Sequence, residues 1–154
     1  MNINFAMWKT ALSTLVKMDN KVEWDRLDVV SKWFIATRSG VTVVTIYTCI
    51  IAGLLAWRDG HFAFLPWLIV TLGLFLAHGT NNLLNDYVDF DRGIDKDNYF
   101  RTQYGVHPLV QNFWDKPQQL RWFIVSGVLA TLSGIFALFY TNFSRTYYHI
   151  SHKK

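Results

Sequence analysis

The chain holds a single cysteine, Cys49, and five histidines. One thiol excludes an intrachain disulfide framework and a multi-cysteine zinc site, and the histidines show none of the spacings that hold zinc. Cys49 falls inside an apolar run, where a small buried thiol is the simplest role. There is no glycine-rich phosphate loop and no dinucleotide fingerprint, so nucleotide hydrolysis has no support. Residues 1–20 contain no continuous apolar core ahead of a small-residue cleavage site, and no secretory signal peptide is read there. Acidic residues stop at Asp115.

Charge is scarce in another sense. It clusters in residues 1–38, 86–121 and 142–154, and the stretches between carry almost none. Mean hydropathy is only +0.14 although 51% of the 154 residues are hydrophobic, because polar and apolar residues are segregated along the chain. The net charge of +4 does not point to nucleic acid, since the basic residues flank apolar spans and form no stripe of their own.

Three apolar segments are long enough to cross a bilayer as helices: about 33–57, 62–86 and 119–140. In lipid such segments must be helical, because only a helix satisfies its backbone within one segment. The expected fold is therefore all-α, an integral membrane helical bundle. Trp33, Trp57, Trp67, Trp114, Trp122 and Tyr140 fall near the span ends, as an aromatic belt requires. A soluble protein with three buried helices is the alternative, but a chain this short could not easily cover them.

Six Lys and Arg precede the first span, from Lys9 to Arg38; Arg58 alone lies between the first and second, and five lie between the second and third. By the positive-inside rule the N-terminus and the loop after the second span face the cytoplasm. Arg38 is expected to reach toward the headgroups. Arg145, Lys153 and Lys154 then fall on the wrong side, which raises the expectation that the chain is truncated or that further spans belong after it. Residues 1–30 form an N-terminal arm, in which Trp8, Leu12, Leu15 and Val16 fit either a short amphipathic helix on the membrane surface or a solvated arm.

The second span runs straight into an acidic cluster, NNLLNDYVDFDRGID at residues 81–95. Asn82, Asp86 and Asp89, spaced i, i+4, i+7, share one helical face. Asn85 and Asp89 form a second pair at i, i+4. Gly93 permits a turn, after which Asp95 can fold back. Carboxylates this close repel, and magnesium would offset the repulsion while keeping positions for water and phosphate oxygens. Arg92, Lys96 and Arg101 are near enough in sequence to help hold a diphosphate. The chemistry implied is ionisation of an allylic diphosphate whose isoprenoid tail lies among apolar helices. A solvated acidic loop after a membrane helix is the plainer reading, although polar residues at intramembrane positions carry a presumption of function.

The stretch from Asn82 to Asp95, of the form N-x-x-N-D-Y-x-D-x-x-x-G-x-D, resembles the first aspartate-rich motif of the UbiA superfamily of intramembrane prenyltransferases. It is most similar to the MenA-type branch, which prenylates 1,4-dihydroxy-2-naphthoate in menaquinone synthesis. The HPLVQNFW segment at residues 107–114 also resembles the family's loop into the third span. The resemblance implies a partial prenyltransferase domain over residues 31–141, three helices of a nine-helix fold, followed by a basic tail at 142–154. It implies a polyprenyl diphosphate and an aromatic acceptor as substrates and the bilayer as surroundings. It implies Asp86 and Asp89 as catalytic residues, magnesium held by Asn82, Asp86, Asp89 and Asp95, and diphosphate contacts from Arg101 and Lys96. The family's second aspartate-rich motif has no counterpart here, which implies a missing C-terminal half or a homo-oligomer. A non-catalytic membrane fragment or interaction subunit, and a prenyltransferase for another acceptor, stand as alternatives.

Among smaller signals, His78 is expected to hydrogen-bond a neighbouring helix, and His107-Pro108 to mark a turn. Ser126, Ala130 and Gly134 form a small-residue ridge suited to close helix contact. Asn142-Phe-Ser144 matches a glycosylation sequon, a triplet common by chance.

Overall fold

The computed structural model describes residues 3–94 and 105–151, with side chains described as far as Thr141. Every regular element among them is helical: α1 (Phe5–Ser13), α2 (Lys21–Arg26), α3 (Val29–Ala36), a 3₁₀ turn (Ser39–Thr42), α4 (Val43–Arg58), α5 (Phe64–Asp91) and α6 (Lys116–Ser151). Three segments are long and apolar enough to cross a membrane, Ser39–Arg58, Phe64–Asp91 and Lys116–Thr141.

The first apolar segment is not one helix from residue 33. It breaks at Arg38, whose backbone is left-handed (φ 54°, ψ 49°), between α3 and the 3₁₀ turn. A residue with a Cβ seldom adopts this conformation, and no glycine at this position announced it. Thr37 helps hold the corner, donating its hydroxyl to the Trp33 carbonyl (2.8 Å), and Thr42 donates to the Ser39 carbonyl (2.6 Å).

The other boundaries follow local rules. Gly60 (φ 73°) ends α4 and Gly93 (φ 71°) ends α5. In each case the glycine N–H bonds a carbonyl three residues back and the next N–H one five back, the left-handed cap that glycine favours. Helix α6 starts at Lys116, ahead of the apolar run, because Asp115 and Gln118 cap it reciprocally: Asp115 Oδ1 accepts from Gln118 N (2.7 Å) and Gln118 Oε1 from Asp115 N (3.2 Å).

Long apolar helices pack with their large side chains mostly outward. Leu138 is 67% exposed and Phe139 71%, and Ile51, Leu54 and Leu132 are also open. In water such a surface would be untenable, and in lipid it is the expected one. Small residues allow the helices to approach. A Cβ on Gly73 of α5 would fall 2.5 Å from Ser133 Cβ of α6, and one on Gly53 of α4 would fall 2.6 Å from the Trp67 indole nitrogen. Of the small-residue ridge, Ser126 is buried, whereas a Cβ on Gly134 would meet nothing within 4 Å. Polar links add to this: Trp67 Nε1 donates to the Cys49 carbonyl (2.8 Å), and Thr45 Oγ1 lies 2.8 Å from His78 Nδ1, joining α4 to α5.

The tight core lies beyond one end of the spans. Ala11, Trp24, Leu27, Ile35, Ala36, Leu83, Val106, Phe113 and Trp114 form it, drawn from the N-terminal helices, the end of α5 and the segment before α6. Trp24 stacks on Phe113 (5.0 Å between centroids) and meets Trp114 edge-on (5.5 Å). Lys21 donates to the Phe113 carbonyl (2.7 Å), and Gln111 to the Met18 carbonyl (2.7 Å). The N-terminal arm is thus a packed cap, with α1 lying against α3 and the 3₁₀ turn; Leu15 and Val16 fall beyond the end of α1. Trp114 belongs to this interior and Trp33 is buried where α3 meets α5 and α6, so neither sits in an aromatic belt, being 7% and 8% exposed.

Asp28 ties the cap together. It caps α3 by accepting from Val30 N and Ser31 N (both 3.0 Å), and it also accepts from Ser31 Oγ (2.5 Å), the Trp8 indole (3.0 Å) and Asn4 N (3.3 Å). Burial pushes its carboxyl pKa up, but the hydrogen bonds from Ser31, Trp8 and Asn4 outweigh that and bring it from 3.8 to about 2.

Candidate functional site

The acidic sequence forms the last turns of α5, which stays helical through Asp91 before turning at Gly93. Asn82, Asp86 and Asp89 therefore lie on one face. That face looks onto the corner between α3 and α4. Asn82 donates its amide to the Thr37 carbonyl (2.8 Å), and one turn later Asp86 Oδ1 accepts from Arg38 Nη2 at 2.6 Å. Asp86 is 2% exposed and the Arg38 side chain 16%. Two successive residues of the broken segment, Thr37 and Arg38, thus bind two α5 residues four apart.

Arg38 does not reach toward headgroups, because its left-handed backbone sits at the corner facing α5 and a buried carboxylate requires a cationic partner. Guanidinium suits that role, since it keeps its charge under burial.

Asp89 is half-buried one turn further on, and Asn85 is exposed. Asp91 pairs with Lys116 at the start of α6, and the same ammonium lies 5.7 Å from the Phe90 ring centroid. Arg92 is exposed at the end of the helix. Asp95, Lys96 and Arg101 lie outside the described residues, as do the side chains of the sequon at Asn142.

One residue near the site was not singled out by the sequence, and another was expected elsewhere. Gln119, fully buried on α6, donates to the Leu83 carbonyl at 3.0 Å and fixes α6 against α5 one turn before Asp86. Arg38 was placed on the wrong surface. Its partner is 48 residues away, beyond any local pattern.

Among the described residues no three of His, Cys, Asp and Glu gather into a group that could hold a metal ion. Asp86 gives an oxygen to Arg38, Asn82 gives its amide to a backbone carbonyl, and Asp91 is turned to Lys116. As arranged, these donors do not fit a divalent cation, which needs several oxygens converging at short range.

Comparison with curated proteins and comparison with solved structures returned no match. A family comparison did, over residues 46–145, more than half of the chain, taking in most of α4, α5 with its acidic end, and most of α6. The matched family is described as the UbiA prenyltransferase family, and this protein, all-helical over its described residues and with three helices able to span a bilayer, belongs to it as an integral membrane protein.

Proposed function

We propose that the protein serves prenyl transfer from a polyprenyl diphosphate to an aromatic quinone precursor, of the kind used in menaquinone-type biosynthesis, with the acidic end of α5 facing the cytoplasm. The observation that carries this reading is the shared face of Asn82, Asp86 and Asp89 at the end of a membrane helix in a chain of the UbiA prenyltransferase family. In the reaction the bond between the first prenyl carbon and the diphosphate oxygen breaks. A ring carbon of the acceptor supplies the electron pair for the new carbon–carbon bond, and that carbon then gives up its proton or carboxyl group. Lys96 and Arg101 would steady the departing diphosphate, whose growing charge is what such a site has to stabilise.

The tail of the substrate has an apolar place to lie. A groove of about 400 Å³ runs between α3, α5 and α6, lined by Trp33, Phe34, Phe75, Leu76, Val125 and Leu129 among others. Leu76 precedes Asn82 on the same helix by about 9 Å of axial rise. An oily groove along the same helix that carries the polar, acidic end matches a substrate with an apolar chain and a charged head.

One observation favours a second reading, a non-catalytic membrane module: Asp86 is already held by Arg38. A transfer assay in membranes, with labelled polyprenyl diphosphate and 1,4-dihydroxy-2-naphthoate, separates the two. Prenylated product that disappears in the Asp86→Ala, Asp89→Ala double variant supports the first reading. Equal product in parent and double variant overturns the site, and no product from the parent chain leaves the second reading standing.

A further inference from the structure

We propose that the outward side of α1 docks on the bilayer itself, an anionic lipid surface into which Phe5 and Leu12 insert while Lys9 meets the headgroup phosphates. The inference concerns how the N-terminal cap is anchored and does not depend on prenyl transfer.

The argument begins with what α1 leaves uncovered. On its inner side Ala11 belongs to the buried core, Met7 packs against that core, and Trp8 donates its indole N–H to Asp28. Phe5 and Leu12, seven residues apart and so on one side of the helix, are 69% and 41% exposed. Ile3, just ahead of the helix, is 62% exposed. Apolar side chains so placed lose by facing water and gain by entering the boundary between headgroups and acyl chains.

Position says what covers them. Phe5 meets the Trp8 ring edge-on (5.0 Å between centroids), Trp8 meets Phe34 of α3 (6.1 Å), and Phe34 meets Phe75 of α5 (6.1 Å). Phe75 lies within the second membrane segment and, with Phe34, lines the open groove between α3, α5 and α6. The apolar edge of α1 is therefore continuous with surface that the spanning helices turn to lipid.

Charge says what kind of lipid. Residues 1–18 contain no acid, and their charged side chains are Lys9 and Lys17. Lys9 is exposed, four residues after Phe5 and three before Leu12, on the same side of α1. Its apolar stem can lie along these side chains while the ammonium reaches phosphate oxygens, and anionic lipids attract basic segments of this kind. Lysine is depleted at the centre of protein interfaces, which favours a headgroup layer over a second copy of the chain. The anchor also reaches α3, because Asp28, which accepts from Trp8, caps that helix at Val30 N and Ser31 N.

The test reads lipid and water access at α1 in the full chain. Phe5→Cys, Leu12→Cys and Thr10→Cys, each with Cys49→Ala, carry a nitroxide label and are reconstituted into vesicles of phosphatidylglycerol with phosphatidylcholine, or of phosphatidylcholine alone. The three labelled positions are exposed, and Cys49→Ala keeps the carbonyl that accepts from Trp67. In anionic vesicles, power saturation should show the labels at 5 and 12 relaxed by oxygen and shielded from a water-soluble nickel complex, with the reverse at 10. Lys9→Gln should lower the ratio of lipid-contacting to water-contacting label at 5 and 12 about fivefold, the share of one lysine near an anionic surface, and neutral vesicles should lower it further. Where a label at 5 prevents reconstitution, Ile3→Cys is read in its place. Nickel access at 5 and 12 equal to that at 10 means a solvated arm and overturns the proposal. Labels shielded from both oxygen and nickel mean a protein cover, such as a second copy, and overturn it too. Equal readings in neutral and anionic vesicles overturn the assignment to an anionic surface.

Discussion

The Trp33 indole N–H donates to Ser126 Oγ at 2.7 Å, joining α3 to α6 across 93 residues of sequence, with both side chains buried. Ser126 in turn donates to the Trp122 carbonyl of its own helix (2.8 Å). Helix associations in a bilayer lack a hydrophobic drive between spans and depend on such packing and polar links. Ser126→Ala should destabilise the protein by about 1 kcal/mol, the usual worth of an interhelical hydrogen bond. Unfolding in mixed detergent with rising dodecyl sulfate, followed by tryptophan fluorescence, measures it. An unchanged midpoint would show that this link contributes nothing.

The close approach of α5 to α6 gives a paired prediction. Gly73→Ala places a methyl against Ser133 Cβ, and the overpacking should cost about 1–3 kcal/mol. Gly134→Ala faces open space and should be neutral or stabilise by up to about 1 kcal/mol through helix propensity. The same unfolding experiment reads both, and equal effects would contradict the packing.

Asp28 should make the cap acid-sensitive. Its folded pKa of about 2 lies below the ordinary 3.8, so the stabilisation it lends is fully present above pH 4 and is lost as pH falls through about 2. Asp28→Asn should flatten that part of an acid titration followed by tryptophan fluorescence. Asp28→Ala, which also removes the helix cap, should cost about 1–2 kcal/mol at neutral pH. An acid response that is the same in parent and Asp28→Asn would assign the sensitivity elsewhere.

Trp24 fills the junction between the N-terminal arm and the segment before α6. Trp24→Ala should destabilise the cap by about 3–5 kcal/mol, as deletion of a buried aromatic does. Limited proteolysis should then cut within residues 105–115 far faster than in the parent, while the spanning helices stay protected in the micelle. Equal cleavage rates would mean that the arm is not anchored there.

Much of this was legible in the chain. Apolar runs free of charge announced three spanning helices, and Gly93 marked the turn at which α5 ends. His78 was expected to bond a neighbouring helix and does so with Thr45. What failed to show was of a different kind. The break at Arg38 follows no propensity, since the residues around it read as a continuing helix, and it is maintained by contacts to α5. Trp33 and Trp114 looked like interfacial anchors because a tryptophan near a span end has the same sequence signature whether it faces headgroups or a core. Asp28 and Gln119 gave no signal, because a single polar residue acquires its partners only when distant segments meet.

The sequence by itself determined the all-helical membrane architecture and the common face of Asn82, Asp86 and Asp89, for both follow from backbone hydrogen bonding in lipid and from helical periodicity. Tertiary structure alone decided what that face meets. Thr37 and Arg38 are brought to it by a chain reversal through α4, and a contact between residues 48 apart depends on how whole helices pack, which no local pattern encodes.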